Sequence, residues 1–463
     1  MFDVARDEVP PAQLAWRYFG VFCAALAIRV VNFWLIDSVP EHVFIEDSAI
    51  YWGGAAAWLA AGFFAEDVNG QFLHETERLP GYYLYLMMFR WAFADGTVPA
   101  IITQLLIDSG TCAVIAVIGS RLGRDVGMLA GLLAILWPNL IVHCTLILSD
   151  SLFLFFLTLT MLFTVRACNK LSVVDIGLAG VLCGIAILIR PVAQLFPLII
   201  VSVVLFTAVR QRWKWKRGVF AGVVFIVAVG LPLSSIISRN LSQFDTLQLT
   251  SQGGTHLLHW VAGYSRALDS GTSFGEETAK LSAKLSERKS AQEASSGKMN
   301  AFEYSKLQTE LALEEMKQTP VRVLAKAWVS GMVLNYFSSA LLGDPRVRRL
   351  NSQSFFESKG AGLVGRVWRF LSTNDSRYVT IVVTALAASF IAGVLQVIGF
   401  VYLARYRPWL SILAAMAVFY FLLINGPVAG PKYRLPFEPV LIILQSIGLI
   451  FCWRFLRRRG PSA

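Results

Sequence analysis

The sequence predicts an all-α polytopic membrane protein with about ten transmembrane helices, interfacial helices and a long outer-side loop region. Three observations carry that reading. Hydrophobic residues make up 56% of the chain and charged residues only 15%, against about 25% charged in soluble domains; the mean hydropathy is +0.59. Several apolar runs reach the roughly 20 residues that a bilayer crossing needs. Basic residues gather in short segments between those runs, as in Arg210–Arg217 and the tail residues Arg454, Arg457, Arg458 and Arg459. Such flanks mark cytoplasmic ends. They also account for the net charge of +11, so no nucleic-acid partner is called for.

The first span is expected over 15–36. Met1–Gln13 carries Asp3, Asp7 and Glu8 and lacks a basic start, so no cleaved signal peptide is expected and the first span stays as an anchor. A first outer loop, 37–97, follows. It holds two stretches, 48–61 and 82–93, too short for full crossings and suited to the membrane interface. Further spans are expected over 98–120, 126–146, 148–165, 173–189, 192–209 and 218–237. Placing Arg121/Arg124, Arg166/Lys170 and Arg210–Arg217 in the cytoplasm makes these runs alternate, with the amino terminus inside.

Residues 238–377 form one outer polar region with a charged, helix-prone piece over 276–317. Within it, 323–342 is apolar but carries Lys326 and Asn335, and reads as interfacial. Spans near 379–403, 408–425 and 437–453 lead to the basic tail. The division is therefore a transmembrane catalytic module over 1–237, an outer region over 238–377, and carboxy-terminal helices with a cytoplasmic tail over 378–463.

The parity of the spans brings scattered polar residues to one surface: Glu46-Asp47, Ser149-Asp150, Arg190, Arg239-Asn240 and Lys432-Tyr433-Arg434. A carboxylate there, if held near an acceptor proton, suits a general base, and Asp47 is the leading candidate. The bland alternative is an acid capping the helix that starts at Ser48. Tyr51 lies one turn further on, and Glu77-Arg78 forms a second polar site in the same loop. Arginine's planar fork suits a phosphate, although Arg78 and Arg190 also read as interfacial anchors. Asp150 reads equally well as a cap at a helix mouth. Basic residues on the outer side run against the positive-inside tendency and point to an anionic ligand.

Other chemistries lose support. His256 and His259 have i, i+3 spacing but no third metal ligand. The six cysteines lie in or beside apolar runs without zinc or disulfide spacing. No P-loop, dinucleotide-binding glycine pattern, nucleophile-elbow serine or zinc-protease motif is present.

The ordered series Glu46-Asp47-Ser48 with Tyr51, Glu77-Arg78-Leu79-Pro80-Gly81-Tyr82, Ser149-Asp150-Ser151-Leu152, Gly184–Pro191, Arg239-Asn240 and Tyr433-Arg434-Leu435-Pro436 resembles the GT-C superfamily of membrane glycosyltransferases. Within it, the chain is similar to the bacterial branch related to protein O-mannosyltransferases, lipid A aminoarabinose transferases and rhizobial galacturonosyltransferases. The resemblance implies a GT-C-like bundle and an inverting transferase using a polyprenyl-phosphate-linked sugar donor. The acceptor would be an envelope glycan, lipid or protein at the periplasmic face of a bacterial inner membrane. Asp47 would be the base. Arg78, Arg190, Arg239 and Arg434 would meet the phosphate, with Glu46, Tyr51, Glu77, Asp150, Asn240 and Tyr433 in the substrate site. Arg78-Leu79-Pro80-Gly81 departs from the Lys-Pro-Pro of the aminoarabinose enzymes, so their acceptor is not carried over. No cofactor is called for, though a carboxylate pair such as Glu46-Asp47 leaves a water-bridged divalent metal open. The alternatives are a transporter or flippase of lipid-linked sugars, for which Asp108 inside a span is a hint, and an O-antigen polymerase or ligase.

Overall fold

The computed structural model describes residues 11–36, 40–94, 96–170, 172–211, 215–350 and 362–458. Arg212–Lys214, Arg459 and residues 1–10, on which parts of the basic clusters and the leader reading fall, lie outside that set. Eight described helices are long and apolar enough to cross a membrane: Ala15–Ile36, Val98–Ser120, Asp150–Asn169, Pro191–Arg210, Trp215–Phe244, Ser376–Tyr406, Pro408–Asn425 and Pro431–Arg457. Val173–Ile189 adds an apolar helix of 17 residues, about 25 Å long at 1.5 Å per residue. The bundle closes by backbone approach at small residues. A Cβ on Gly399 would meet the Leu444 carbonyl, and one on Gly448 the Leu395 carbonyl, so two spans pack here without side chains between them.

The run 126–146 is not one rod. Arg124–Ile135 ends, and a separate short helix, Pro138–His143, follows. Pro138 has no N–H to continue the helix and pushes the preceding residue out of the helical region; Trp137 sits at φ −75, ψ 113. Arg29 of the first span donates to the carbonyls freed by this break, at 3.4 Å from Ala134 and 3.3 Å from Ile135. Its Nε lies 2.5 Å from Asp108 Oδ2. The mid-span acid is thus half of a buried ion pair that seals a helix break, the arrangement in which intramembrane charges are tolerated.

Between the first two spans the chain forms the 14-residue helices Ser48–Ala61 and Pro80–Phe93, about 21 Å long and short of a crossing. They are joined by an antiparallel hairpin, Ala65–Val68 with Gln71–His74. Its turn is Asn69-Gly70, with φ 55 and 83, the left-handed pair that a two-residue hairpin turn of the I′ type needs. In the 238–377 region the charged piece is two helices, Phe274–Ser296 and Ala301–Gln318. Arg266 ties them together through Glu277 and Glu315. The apolar stretch near 323–342 is the helix Val321–Phe337, packed beside Pro408–Asn425.

Candidate active site

The turn before Ser48–Ala61 is built without Asp47. The Ile45 N–H donates to Ser48 Oγ at 3.0 Å, and that hydroxyl donates back to the Ile45 carbonyl at 2.6 Å. Glu46 sits at φ 46, a left-handed conformation that costs a non-glycine residue roughly 1–2 kcal/mol. Asp47 occupies the N-cap position yet makes no side-chain capping bond. Its carboxylate turns instead toward two cations: Arg78 Nη2 lies 3.1 Å from Oδ1 and Lys432 Nζ 3.4 Å from Oδ2. Lys432 also lies 2.6 Å from Glu46 Oε2. Burial alone would push the Asp47 carboxyl up, but Lys432 and Arg78 outweigh it and hold the group below its ordinary value. Asp47 is therefore ionised at neutral pH.

Arg78 is aimed by its own loop. Buried Glu75 accepts the backbone N–H groups of Glu77 and Arg78 on Oε1, at 2.8 and 3.0 Å, and the Tyr83 hydroxyl on Oε2 at 3.1 Å. The Arg78 guanidinium lies over the Tyr51 ring, 5.8 Å from its centroid. Glu77 Oε2 is 3.6 Å away from Arg78 Nη1, with its side chain half exposed. Tyr51 packs edge-on against Tyr82 and Tyr83, and its hydroxyl lies 3.4 Å from Ser149 Oγ. Arg190 is paired with Asp150, at the mouths of two neighbouring spans. Tyr433 follows Lys432, whose Nζ lies 5.5 Å from that ring's centroid.

Three sequence candidates stand apart from this cluster. Arg239 donates to the Glu75 carbonyl at 2.8 Å, and Asn240 holds the Gln248 and Leu249 carbonyls at 2.6 and 3.2 Å. Arg239 thereby braces the loop that carries Arg78, while Asn240 holds the segment leading to Ser251, whose N–H donates to the Thr76 carbonyl at 2.8 Å. Arg434 faces away from Asp47: its Nε lies 2.8 Å from Glu438 Oε1 in a buried i, i+4 pair, and Nη1 donates to the Ser338 carbonyl at 3.4 Å.

Sequence reasoning missed two residues. The sequence marks Lys432 only as one of the outer basic residues suited to an anionic ligand, whereas in the fold it bridges the acidic pair. His256, weighed only as a metal ligand, opens a π-helical turn over His256–Ala262, a distortion frequent at functional sites. Burial, with Lys432 and Arg190 nearby, holds its ring below the ordinary value against the pull of Asp47. Among the described residues no three His, Cys, Asp or Glu side chains converge as metal ligands.

The arrangement is an ionised carboxylate beside two cationic groups, Arg78 and Lys432, with the Arg190–Asp150 pair further off, at a mouth framed by spans and by the 238–377 region. Residues 80–236 match the family model described as dolichyl-phosphate-mannose-protein mannosyltransferase. Among solved structures, the oligosaccharyltransferase AglB from Archaeoglobus fulgidus, in complex with an inhibitory peptide and a dolichol-phosphate, aligns over 96% of this chain at a TM-score of 0.53 and 11% identity. The chain has the GT-C fold. It spans about half of that relative, covering 52% of its length. ArnT from Cupriavidus metallidurans bound to undecaprenyl phosphate aligns at a TM-score of 0.41 and 17% identity, over 95% of this chain and 80% of its own. No curated protein matches. The family match begins at Pro80, so it takes in Asp150 and Arg190 but neither Asp47 nor Lys432.

Proposed function

We infer that this chain moves a sugar from a polyprenyl-phosphate donor onto an acceptor hydroxyl, with Asp47 as the base. The observation that carries the reading is the Asp47 carboxylate, which leaves its helix uncapped and faces Arg78 and Lys432. In the reaction the acceptor O–H breaks and its proton goes to Asp47. The acceptor oxygen bonds the anomeric carbon from the face opposite the phosphate, and the carbon–oxygen bond to phosphate breaks. The electron pair leaves on the phosphate oxygen, and stereochemistry inverts. Arg78, Lys432 and Arg190 meet that added charge; donors preorganised where charge develops are often the largest catalytic term. Glu77 and Tyr51 flank Arg78 and are assigned to the sugar and acceptor.

The basic residues Arg121, Arg124, Arg405 and Arg407 lie at the opposite ends of the spans. By the positive-inside rule that end is cytoplasmic, which supports a reaction on the outer face of an inner membrane; the acceptor proposed is a glycan, lipid or protein of the envelope. The transport reading loses its motivating residue, since Asp108 is paired with Arg29. The test is transfer by the purified chain in liposomes, from labelled polyprenyl-phosphate sugars to a panel of envelope acceptors. Product with the inverted anomeric configuration supports the reading. Movement of labelled lipid across the bilayer without transfer refutes it.

A further inference from the structure

Lys432 reaches the acidic pair from a loop 385 residues away in sequence, so something must fix that loop. The segment between Pro408–Asn425 and Lys432 reads Gly426-Pro427-Val428-Ala429-Gly430-Pro431. Two of its residues are prolines without an N–H, and its own backbone bonds, such as Val428 N–H to the Asn425 carbonyl and Tyr433 N–H to the Gly430 carbonyl, are short-range turns that do not anchor it to another helix. The helix Val321–Phe337 supplies the fixing. Asn335 is fully buried; its Nδ2 donates to the Val428 carbonyl at 2.8 Å and its Oδ1 accepts the Gly430 N–H at 3.0 Å. One turn earlier, Gly331 lies flat against Gly426 and Pro427, where a Cβ would strike the Gly426 carbonyl. Trp328 donates to the Leu423 carbonyl at 3.2 Å. One face of this helix, three and four residues apart, thus grips the loop along its length. An asparagine in an apolar run is costly unless both ends of its amide are used, and here both are used on a single loop.

We propose that Asn335 is a positioning residue that sets Lys432 against Glu46 and Asp47, coupling the 238–377 region to the site. Asn335 touches neither reacting group; it acts through Gly430 and the single residue, Pro431, that separates it from Lys432. The inference rests on the reading of Asp47 as the base. The charged and titratable groups facing Asp47 are Lys432 and Arg78 in contact and Glu46 beside it, with Arg190, His256 and Tyr433 further off. Of these, Lys432 and Tyr433 hang on the loop that Asn335 holds.

The test uses the full chain purified in detergent and two variants. Asn335→Asp keeps an acceptor for the Gly430 N–H but loses the donor to Val428; Asn335→Leu loses both. Amine acetylation read by mass spectrometry follows Lys432, whose side chain is 17% exposed, with Lys280, 56% exposed, as the internal reference. The expected result is a severalfold faster modification of Lys432 in both variants, with Lys280 unchanged. The acid limb of the transfer pH profile should move upward in Asn335→Asp, as in Lys432→Met, and the double variant should move no further than Lys432→Met alone. Unchanged Lys432 labelling overturns the proposal, as does an additive shift in the double variant. Should Asn335→Leu fail to fold, Asn335→Asp decides. Labelling needs no activity, so a wild type that transfers nothing sinks the reading of Asp47 while the acetylation result still decides on Asn335.

Discussion

Replacing Lys432 by Met moves the acid limb of sugar transfer to higher pH by about one unit. The lysine Nζ lies 3.4 Å from Asp47 Oδ2. At an effective dielectric of about 20, unit charges at that separation attract by about 5 kcal/mol. Two features shrink this. The Asp47 side chain is 36% exposed and water screens it, and Arg78 remains 3.1 Å from the other oxygen. One feature adds to the shift: Glu46 loses its partner at 2.6 Å and repels the neighbouring carboxylate more strongly. About one unit, or roughly 1.4 kcal/mol, is what survives. The sign follows from the charges. Removing a cation disfavours the carboxylate, its pKa rises from a value held below 3.8, and the base is lost to protonation at a higher pH. The assay is kcat/KM for transfer against pH at fixed ionic strength, which reports the free enzyme's essential groups. An acid limb that stays in place, or moves downward, refutes the claim that Lys432 acts on the catalytic carboxylate.

Two further substitutions separate binding chemistry from scaffold. Asp150→Ala leaves Arg190 with its buried partner gone, and should lower stability by up to about 3 kcal/mol, read as a lower Tm in detergent; an unchanged Tm contradicts the pairing. Arg434→Met strands the buried Glu438 and should cost a similar amount, about 3 kcal/mol, while folded molecules keep their Kd for polyprenyl phosphate. Selective loss of that affinity at full stability would return Arg434 to the phosphate site.

Much of the fold was legible because membrane spans are written in length and charge. Nine expected runs recur as apolar helices, and their parity already gathered Asp47, Asp150, Arg190 and Lys432 at one end. The break inside 126–146 was also written, in Pro138, but the apolar run around it masked the stop. The Asn69-Gly70 hairpin carried its turn signal within a stretch read only for interfacial helices. The site was harder. Asp47 as a cap and Asp47 as a base look alike in sequence; they differ only in that Ser48 closes the turn and two distant cations claim the carboxylate. Lys432 and Arg434 are two residues apart, and nothing local says which faces the site. The one available signal was the i, i+4 spacing of Arg434 and Glu438, which favours a pair along one helix face. Asn335 stood out as a polar residue in an apolar run, yet its partners lie more than 90 residues away.

The measurement that tests the central claim most directly compares wild type with Asp47→Asn for transfer from a polyprenyl-phosphate sugar. Asparagine keeps the shape and removes the proton acceptor. The account predicts a loss of roughly 10²–10⁴-fold in kcat, with the Kd for polyprenyl phosphate and the Tm essentially retained. An Asp47→Asn enzyme that transfers at the wild-type rate would contradict it.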